Sequence, residues 1–126
     1  MKLQPDKSNA PMVRAYGPGW IDIDHDRHIH SVLVSSLADM PTTAWAPPGF
    51  EALQAQHLAL LATCGAELVI LGTGQRLRFV PSSWLAPFAE HRVGLEAMDT
   101  AAACRTYNIL ASEGRKVLAA LLLEPH

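Results

Sequence analysis

The sequence predicts an α/β fold, a three-layer sandwich around a mixed sheet that is entered through an N-terminal β-hairpin. Three observations carry that expectation. After the hairpin, the segments read strand, helix, strand, helix, strand, helix, strand, the order of a layered α/β sheet. Residues 68–71 and 117–123 are uninterrupted apolar runs, as in strands covered on both faces. Apolar residues make up 49% of the 126 and charged residues 17%, against a usual charged share of about 25%.

Each element has its own signal. Gly17-Pro18-Gly19 is a turn, and residues 20–24 then alternate apolar and acidic side chains, the period-2 sign of a half-buried strand. Residues 24–27 form the polar hairpin tip, and residues 28–35 the return strand, ending in the doubly apolar Val32-Leu33-Val34. Residues 40–49 hold three prolines and a glycine and read as a loop. Phe50, Leu53, His57, Leu60, Leu61 and Cys64 recur at helical spacing before Gly65, predicting a helix over 50–64 closed in the left-handed conformation. His57 reads as a hydrogen-bonded residue at the edge of the core.

Residues 67–71 are a buried strand. Residues 72–74 turn the chain, and 77–80 alternate like a further strand. Pro81-Ser82-Ser83 can start a short helix to about residue 90, with Pro87 disturbing its middle. Residues 93–98 read as a strand. Asp99 and Thr100 are N-cap types for a helix over 101–113 closed by Gly114. Residues 116–123 are the last strand.

Composition also excludes classes. Ten Lys and Arg against twelve Asp and Glu leave a net charge of −2. Such a chain is neither disordered nor a coiled-coil rod, and it offers no broad cationic surface for nucleic acid. Its two cysteines, Cys64 and Cys104, lie in apolar helical stretches and read as reduced core thiols. Residues 1–12 read as a flexible tail without signal- or transit-peptide character, and residues 13–124 as one domain. No apolar run approaches the roughly 20 residues of a spanning helix. The expectation is a cytoplasmic protein, not inserted in a membrane.

Three constellations could carry chemistry. Asp22, Asp24, His25, Asp26, His28 and His30 crowd the hairpin. A metal site there would need three or four converging ligands, so a solvated polar turn is the expectation, with no metal. Gly72-Thr73-Gly74-Gln75-Arg76 follows a buried strand, where backbone N–H groups can cradle an anion. The dinucleotide fingerprint needs a third glycine and a helix directly after the turn, and neither is present. On the last helix, Thr100, Cys104 and Asn108 share a face, with Arg105 beside them. Cys104 would become a nucleophile only with a lowered pKa; the plainer reading is a buried thiol, with Asn108 satisfying loop backbone. No catalytic residue and no cofactor follow from these patterns.

The motifs Ala15-Tyr16-Gly17-Pro18-Gly19, Leu71-Gly72-Thr73-Gly74, Met98-Asp99-Thr100 and Ala103-Cys104-Arg105-Thr106-Tyr107-Asn108-Ile109-Leu110 together resemble a known family. It is the MTH-domain family, which includes mitochondrial complex I assembly factor 3, the adipogenesis-associated MTH-domain protein and many uncharacterised bacterial members. The resemblance spans residues 13–123 and implies an MTH-domain-like three-layer α/β fold. It carries over no established catalytic residue or cofactor. The mitochondrial relative binds partners to assemble the respiratory NADH:ubiquinone oxidoreductase; this chain is read as a bacterial type of member.

Two functions follow as expectations. The first is a non-enzymatic interaction or assembly protein of the bacterial cytoplasm, working at the inner membrane on respiratory-complex or membrane-biogenesis subunits. Its surface would be Gly72, Thr73, Gly74, Gln75 and Arg76 with Asp99, Thr100, Cys104, Arg105 and Asn108, since loops after parallel strands gather at one sheet edge. Arg76 and Arg105 would face an acidic partner or an anion. The second is a small-molecule or anion site in the same place, with Cys104 as a reactive thiol.

Overall fold

The computed structural model describes residues 9–124. Strands β1 (Val13–Gly17), β2 (Trp20–Ile23) and β3 (Asp26–His28) form a small antiparallel sheet in that order. A second, five-stranded sheet is built from β4 (Val32–Ser35), β5 (Thr43–Ala44), β6 (Leu68–Gly72), β7 (Gly94–Met98) and β8 (Val117–Leu121). Its order is β5-β4-β8-β6-β7. β6 runs parallel to both β7 and β8, while β4 is antiparallel to β5 and β8.

Helices α1 (Ala55–Leu61), α2 (Ala86–Glu90) and α3 (Thr100–Ser112) complete the layers. The two faces of the large sheet carry separate cores. Val32, Val34, Ile70, Ala119 and Leu121 pack with α3 and the small sheet, while Leu33, Val69, Leu71, Leu118 and Ala120 pack with α1 and Phe88 of α2. That is why residues 68–71 and 117–121 are apolar on both sides. The expected sandwich around a mixed sheet is the fold observed.

Several boundaries differ from the sequence expectation. The strand expected over 28–35 is two strands in two sheets. Of its polar half only His28 pairs with β2, as the end of β3, which begins within the expected tip. Ile23 and Asp26 pair around a two-residue turn in which Asp24 takes φ 51°, a conformation Asp tolerates better than most residues. Its apolar half, Val32-Leu33-Val34, needs cover on both faces and lies in the large sheet. Ser31 anchors the crossing, since its hydroxyl accepts the Leu123 N–H at 3.0 Å and its carbonyl the Trp45 N–H at 2.9 Å. β1 was missing from the sequence reading, and the loop expected over 40–49 contains the two-residue edge strand β5.

The helix expected over 50–64 is a 3-10 turn, Phe50–Ala52, then α1. The restart at Gln54, whose N–H is accepted by His57 Nδ1 at 2.9 Å, shifts the helical phase. Leu58, Leu61 and Ala62 are therefore buried and Leu60 is 73% exposed. Gly65 does close the segment, at φ 96°. Pro87 lies in the first turn of α2, where its missing N–H has no helical partner to lose. Residues 77–80 join no sheet. Their alternation is present but inverted, with Leu77 and Phe79 exposed and Arg78 turned inward.

Pro11 and Met12, at the inner end of the tail expected over 1–12, are hydrogen-bonded to the domain. Tyr107 donates its hydroxyl to Pro11 O at 2.9 Å, and Met12 exchanges hydrogen bonds with Asp24. Residues 1–8 lie outside the described residues. No described helix is long and apolar enough to cross a membrane.

Candidate functional site

Because β6, β7 and β8 are parallel, their C-terminal ends emerge on one side of the sheet, where such folds place ligand crevices. The chain is tightly knit there. Thr73 N–H bonds Met98 O at 2.8 Å, Thr100 N–H bonds Gly74 O at 2.8 Å, and Leu122 N–H bonds Gly72 O at 3.0 Å. The buried Thr100 hydroxyl accepts the Gly74 N–H at 2.9 Å and donates to Leu122 O at 2.8 Å. One hydroxyl thus ties the ends of β6 and β8 to the start of α3.

Two glycines permit this approach. A Cβ at Gly72 would lie 3.0 Å from Thr100 Oγ1, and one at Gly74, which has φ 100°, would lie 2.5 Å from Glu124 Oε1. Glu124 also accepts the Phe50 N–H at 3.1 Å and pairs with Arg78 at 3.2 Å. Arg78 reaches Glu51 at 3.4 Å and lies 5.1 Å from the Phe50 ring centroid.

Beside this knot opens a cleft of about 400 Å³. The β1–β2 turn, Tyr16 to Ile21, makes one wall; Gly74, Gln75 and the first turn of α3 make the other; Leu122 and Leu123 form the floor. Asp99 caps α3, accepting the Ala102 N–H at 2.8 Å, and its side chain and that of Glu124 are the charged groups of the lining.

The expected site residues are therefore brought together only in part. Gly74, Gln75, Asp99 and Thr100 line the cleft, while Gly72 and Thr73 lie buried beneath it. The Thr73 hydroxyl donates to Arg76 O at 2.7 Å and accepts the Arg78 N–H at 3.1 Å. Arg76 is exposed and outside the lining. Arg105 turns to Tyr16, donating to its hydroxyl at 2.7 Å, a bond that raises the Arg105 pKa. Asn108 binds the backbone of Val13.

The reading of Cys104 as a reactive thiol meets a physical objection. The side chain is fully buried, and burial pushes its pKa up to about 12, so the nucleophilic thiolate is scarce at neutral pH. An anion in the cleft would meet the acidic Asp99, while the other acidic lining residue, Glu124, is already paired with Arg78. At the hairpin, Arg27 binds both oxygens of Asp22 at 2.8 and 3.0 Å and holds that carboxyl below its usual pKa. Among the described residues, no three His, Cys, Asp or Glu side chains are grouped to hold a metal.

Sequence reasoning missed the β1–β2 turn as a wall, although Tyr16-Gly17-Pro18-Gly19 stood out as a motif. A Cβ at Gly17 would lie 2.6 Å from Trp20 Nε1, so glycine lets the indole close against the turn. Glu124 and Arg78 had no local signal, because their meeting depends on contacts 46 residues apart.

These layers and this crevice define an Mth938-like α/β domain. A solution structure of a Bordetella pertussis protein described as an Mth938-like domain superposes with a TM-score of 0.78 at 32% identity, covering 99% of this chain and 94% of that one. The chain belongs to the family described as "Protein of unknown function (DUF498/DUF598)", which matches residues 13–122. An uncharacterised protein of Rhodobacter capsulatus is 36% identical over 123 residues, covering 97% of this chain and 92% of that protein. The "NADH dehydrogenase [ubiquinone] 1 alpha subcomplex assembly factor 3" of Danio rerio is 37% identical over 125 residues, covering 98% of this chain and 70% of the relative. A Francisella tularensis protein named "13 kDa major membrane protein" is 25% identical over 118 residues, covering 93% of this chain and 95% of that protein. The family resemblance read from the motifs is thereby confirmed.

Proposed function

We propose that the protein is a non-enzymatic docking protein that holds subunits of a respiratory complex during assembly, through the cleft at the ends of β6 and β8. The observation that carries this reading is the 37% identity to the Danio rerio assembly factor across 98% of the chain, a span that includes every wall of the cleft. The rigid knot around Thr100 supports it, because a preformed site loses little conformational entropy on binding. The working position in this reading is the cytoplasmic face of the membrane, held there by the partner. The Francisella relative's name is consistent with such peripheral attachment.

The test is a photo-crosslinking residue at the exposed rim position Gln75, used in the native cell and followed by mass spectrometry of the adducts. Subunits of NADH:ubiquinone oxidoreductase are expected, together with a fall in membrane NADH oxidation when the gene is deleted. Adducts lacking such subunits, with oxidation unchanged, would overturn the proposal. A second reading, a small-molecule ligand in the same cleft, is favoured by the volume of about 400 Å³, within the usual range for such sites.

A further inference from the structure

We infer that the cleft takes a basic segment of the protein partner, in which an apolar anchor side chain lies next to a Lys or Arg. This rests on the docking reading above and names the partner's chemistry. The floor and much of the walls, Ile21, Pro18, Ala101, Leu122 and Leu123, are apolar, which suits an anchor side chain. The charged side chains of the lining, Asp99 and Glu124, are both acidic. Arg78 already pairs with Glu124, which leaves Asp99 as the lining carboxylate without an ion pair among the described residues. Arg78 also bonds Glu51, and Arg105 bonds the Tyr16 hydroxyl.

Asp99 carries most of the selectivity. Its Oδ1 is taken by the Ala102 N–H, and its Oδ2 accepts no hydrogen bond among the described residues. That carboxylate already satisfies the positive end of α3, so an incoming anion would meet a capped helix and a like charge. An incoming ammonium or guanidinium finds an acceptor beside an apolar floor. The Thr100 hydroxyl ties Gly74 to Leu122, so that wall and the floor are held before any partner arrives.

The experiment titrates isotope-labelled protein and follows the amide signals of Gly19, Gly74, Gln75 and Ala101. The probes are acetyl-Gly-Phe-Lys-Gly-amide, its counterpart acetyl-Gly-Phe-Glu-Gly-amide, and 2-phenylethylamine. The lysine peptide is expected to move the cleft signals and bind about threefold more tightly than the glutamate peptide, the size of an exposed ion pair. Asp99→Asn keeps a helix-cap acceptor and should bring the two peptides near parity. Ala101→Phe fills the cleft from the first turn of α3 and should abolish both sets of shifts. Should that variant not fold, the Asp99→Asn comparison still decides.

Equal or tighter binding of the glutamate peptide overturns the inference, as does the absence of shifts with either peptide. Binding of 2-phenylethylamine as tight as the lysine peptide also overturns it, assigning the cleft to a small amine. The docking reading fails separately, by the crosslinking result in cells.

Discussion

The side-chain amide of Asn108 stands in for a neighbouring strand at Val13, accepting its N–H at 2.9 Å and donating to its carbonyl at 2.8 Å. Two other residues of α3 grip the same stretch, Tyr107 through Pro11 O and Arg105 through the Tyr16 hydroxyl. The helix thereby holds the first strand from the side, and the β1–β2 turn that walls the cleft is carried on that strand.

Replacing Asn108 by Ala leaves both polar groups of Val13 without their partner in a half-buried place. Each such group costs about 1–3 kcal/mol, so a loss of about 2–3 kcal/mol is expected in urea denaturation. Faster hydrogen exchange at Val13, Ala15 and Gly17 should accompany it. A loss below about 0.5 kcal/mol, the usual range for surface changes, would show that the amide does not hold the strand.

Gly74 and Gly114 separate two effects of glycine. Both have positive φ, 100° and 81°, but a Cβ at Gly114 meets nothing within 4 Å, whereas at Gly74 it meets Glu124. Gly114→Ala should lose about 1 kcal/mol from the left-handed backbone alone. Gly74→Ala should lose more, up to about 3 kcal/mol, because Glu124 must also move away from Arg78. Equal losses in the two variants would mean that the carboxylate yields freely.

The order of layers was legible because burial on two faces leaves an unambiguous mark. Runs such as Val69-Ile70-Leu71 and Val117 to Leu121 cannot lie at a surface. The caps were legible too, in Asp99, Gly65 and Gly114, since local hydrogen bonding and φ decide them. Strand membership was not. Leu77-Arg78-Phe79-Val80 alternates like a strand, yet the partner that decides its orientation is Glu124, far along the chain. The cleft was half legible for the same reason. Asp99 and Gly74 follow strands in sequence and were found, while Glu124 and the β1–β2 wall arrive through tertiary packing. Arg76 and Arg105 were expected to face an acidic partner or an anion, and sequence does not show that Arg76 lies outside the lining and Arg105 meets Tyr16.

Cys104 makes stability depend on alkaline pH. Its folded thiol titrates at about 12 against an ordinary value of 9.0, chiefly through burial. Below about pH 9 both folded and unfolded chains hold the proton, and stability is unaffected. Above it the unfolded chain releases the proton first, so stability falls as pH rises toward 12, by up to about 1.4 kcal/mol per pH unit. Burial raises Tyr107 in the same direction, and Cys104→Ala should remove only the thiol's share of the slope. At neutral pH a thiol reagent should label Cys64, which is half-buried, and leave Cys104 intact until the chain unfolds. Rapid labelling of Cys104 in the native protein would contradict both expectations.

The pair Arg78–Glu124 differs from the surface ion pairs of the same chain. Both side chains are 20% exposed, whereas Arg14 and Asp24, 3.9 Å apart, are 63% and 45% exposed. Arg78 Nε is buried without a partner among the described residues, so its charge depends on the two carboxylates that its terminal nitrogens reach. Removing one member of a sheltered pair strands the other, which costs more than the pair contributes. Glu124→Gln is therefore expected to lose about 1–2 kcal/mol, well below the 3–5 kcal/mol of a fully buried pair, because Glu51 remains and water reaches the site. Arg78→Met should lose a similar amount. The double variant should lose less than the sum, by about 1 kcal/mol, since neither charge is then stranded. Salt should weaken the Arg14–Asp24 pair and leave this coupling largely intact. Strict additivity in a double-mutant cycle at low and high salt would refute a coupled pair and return Glu124 to the cleft as a free carboxylate.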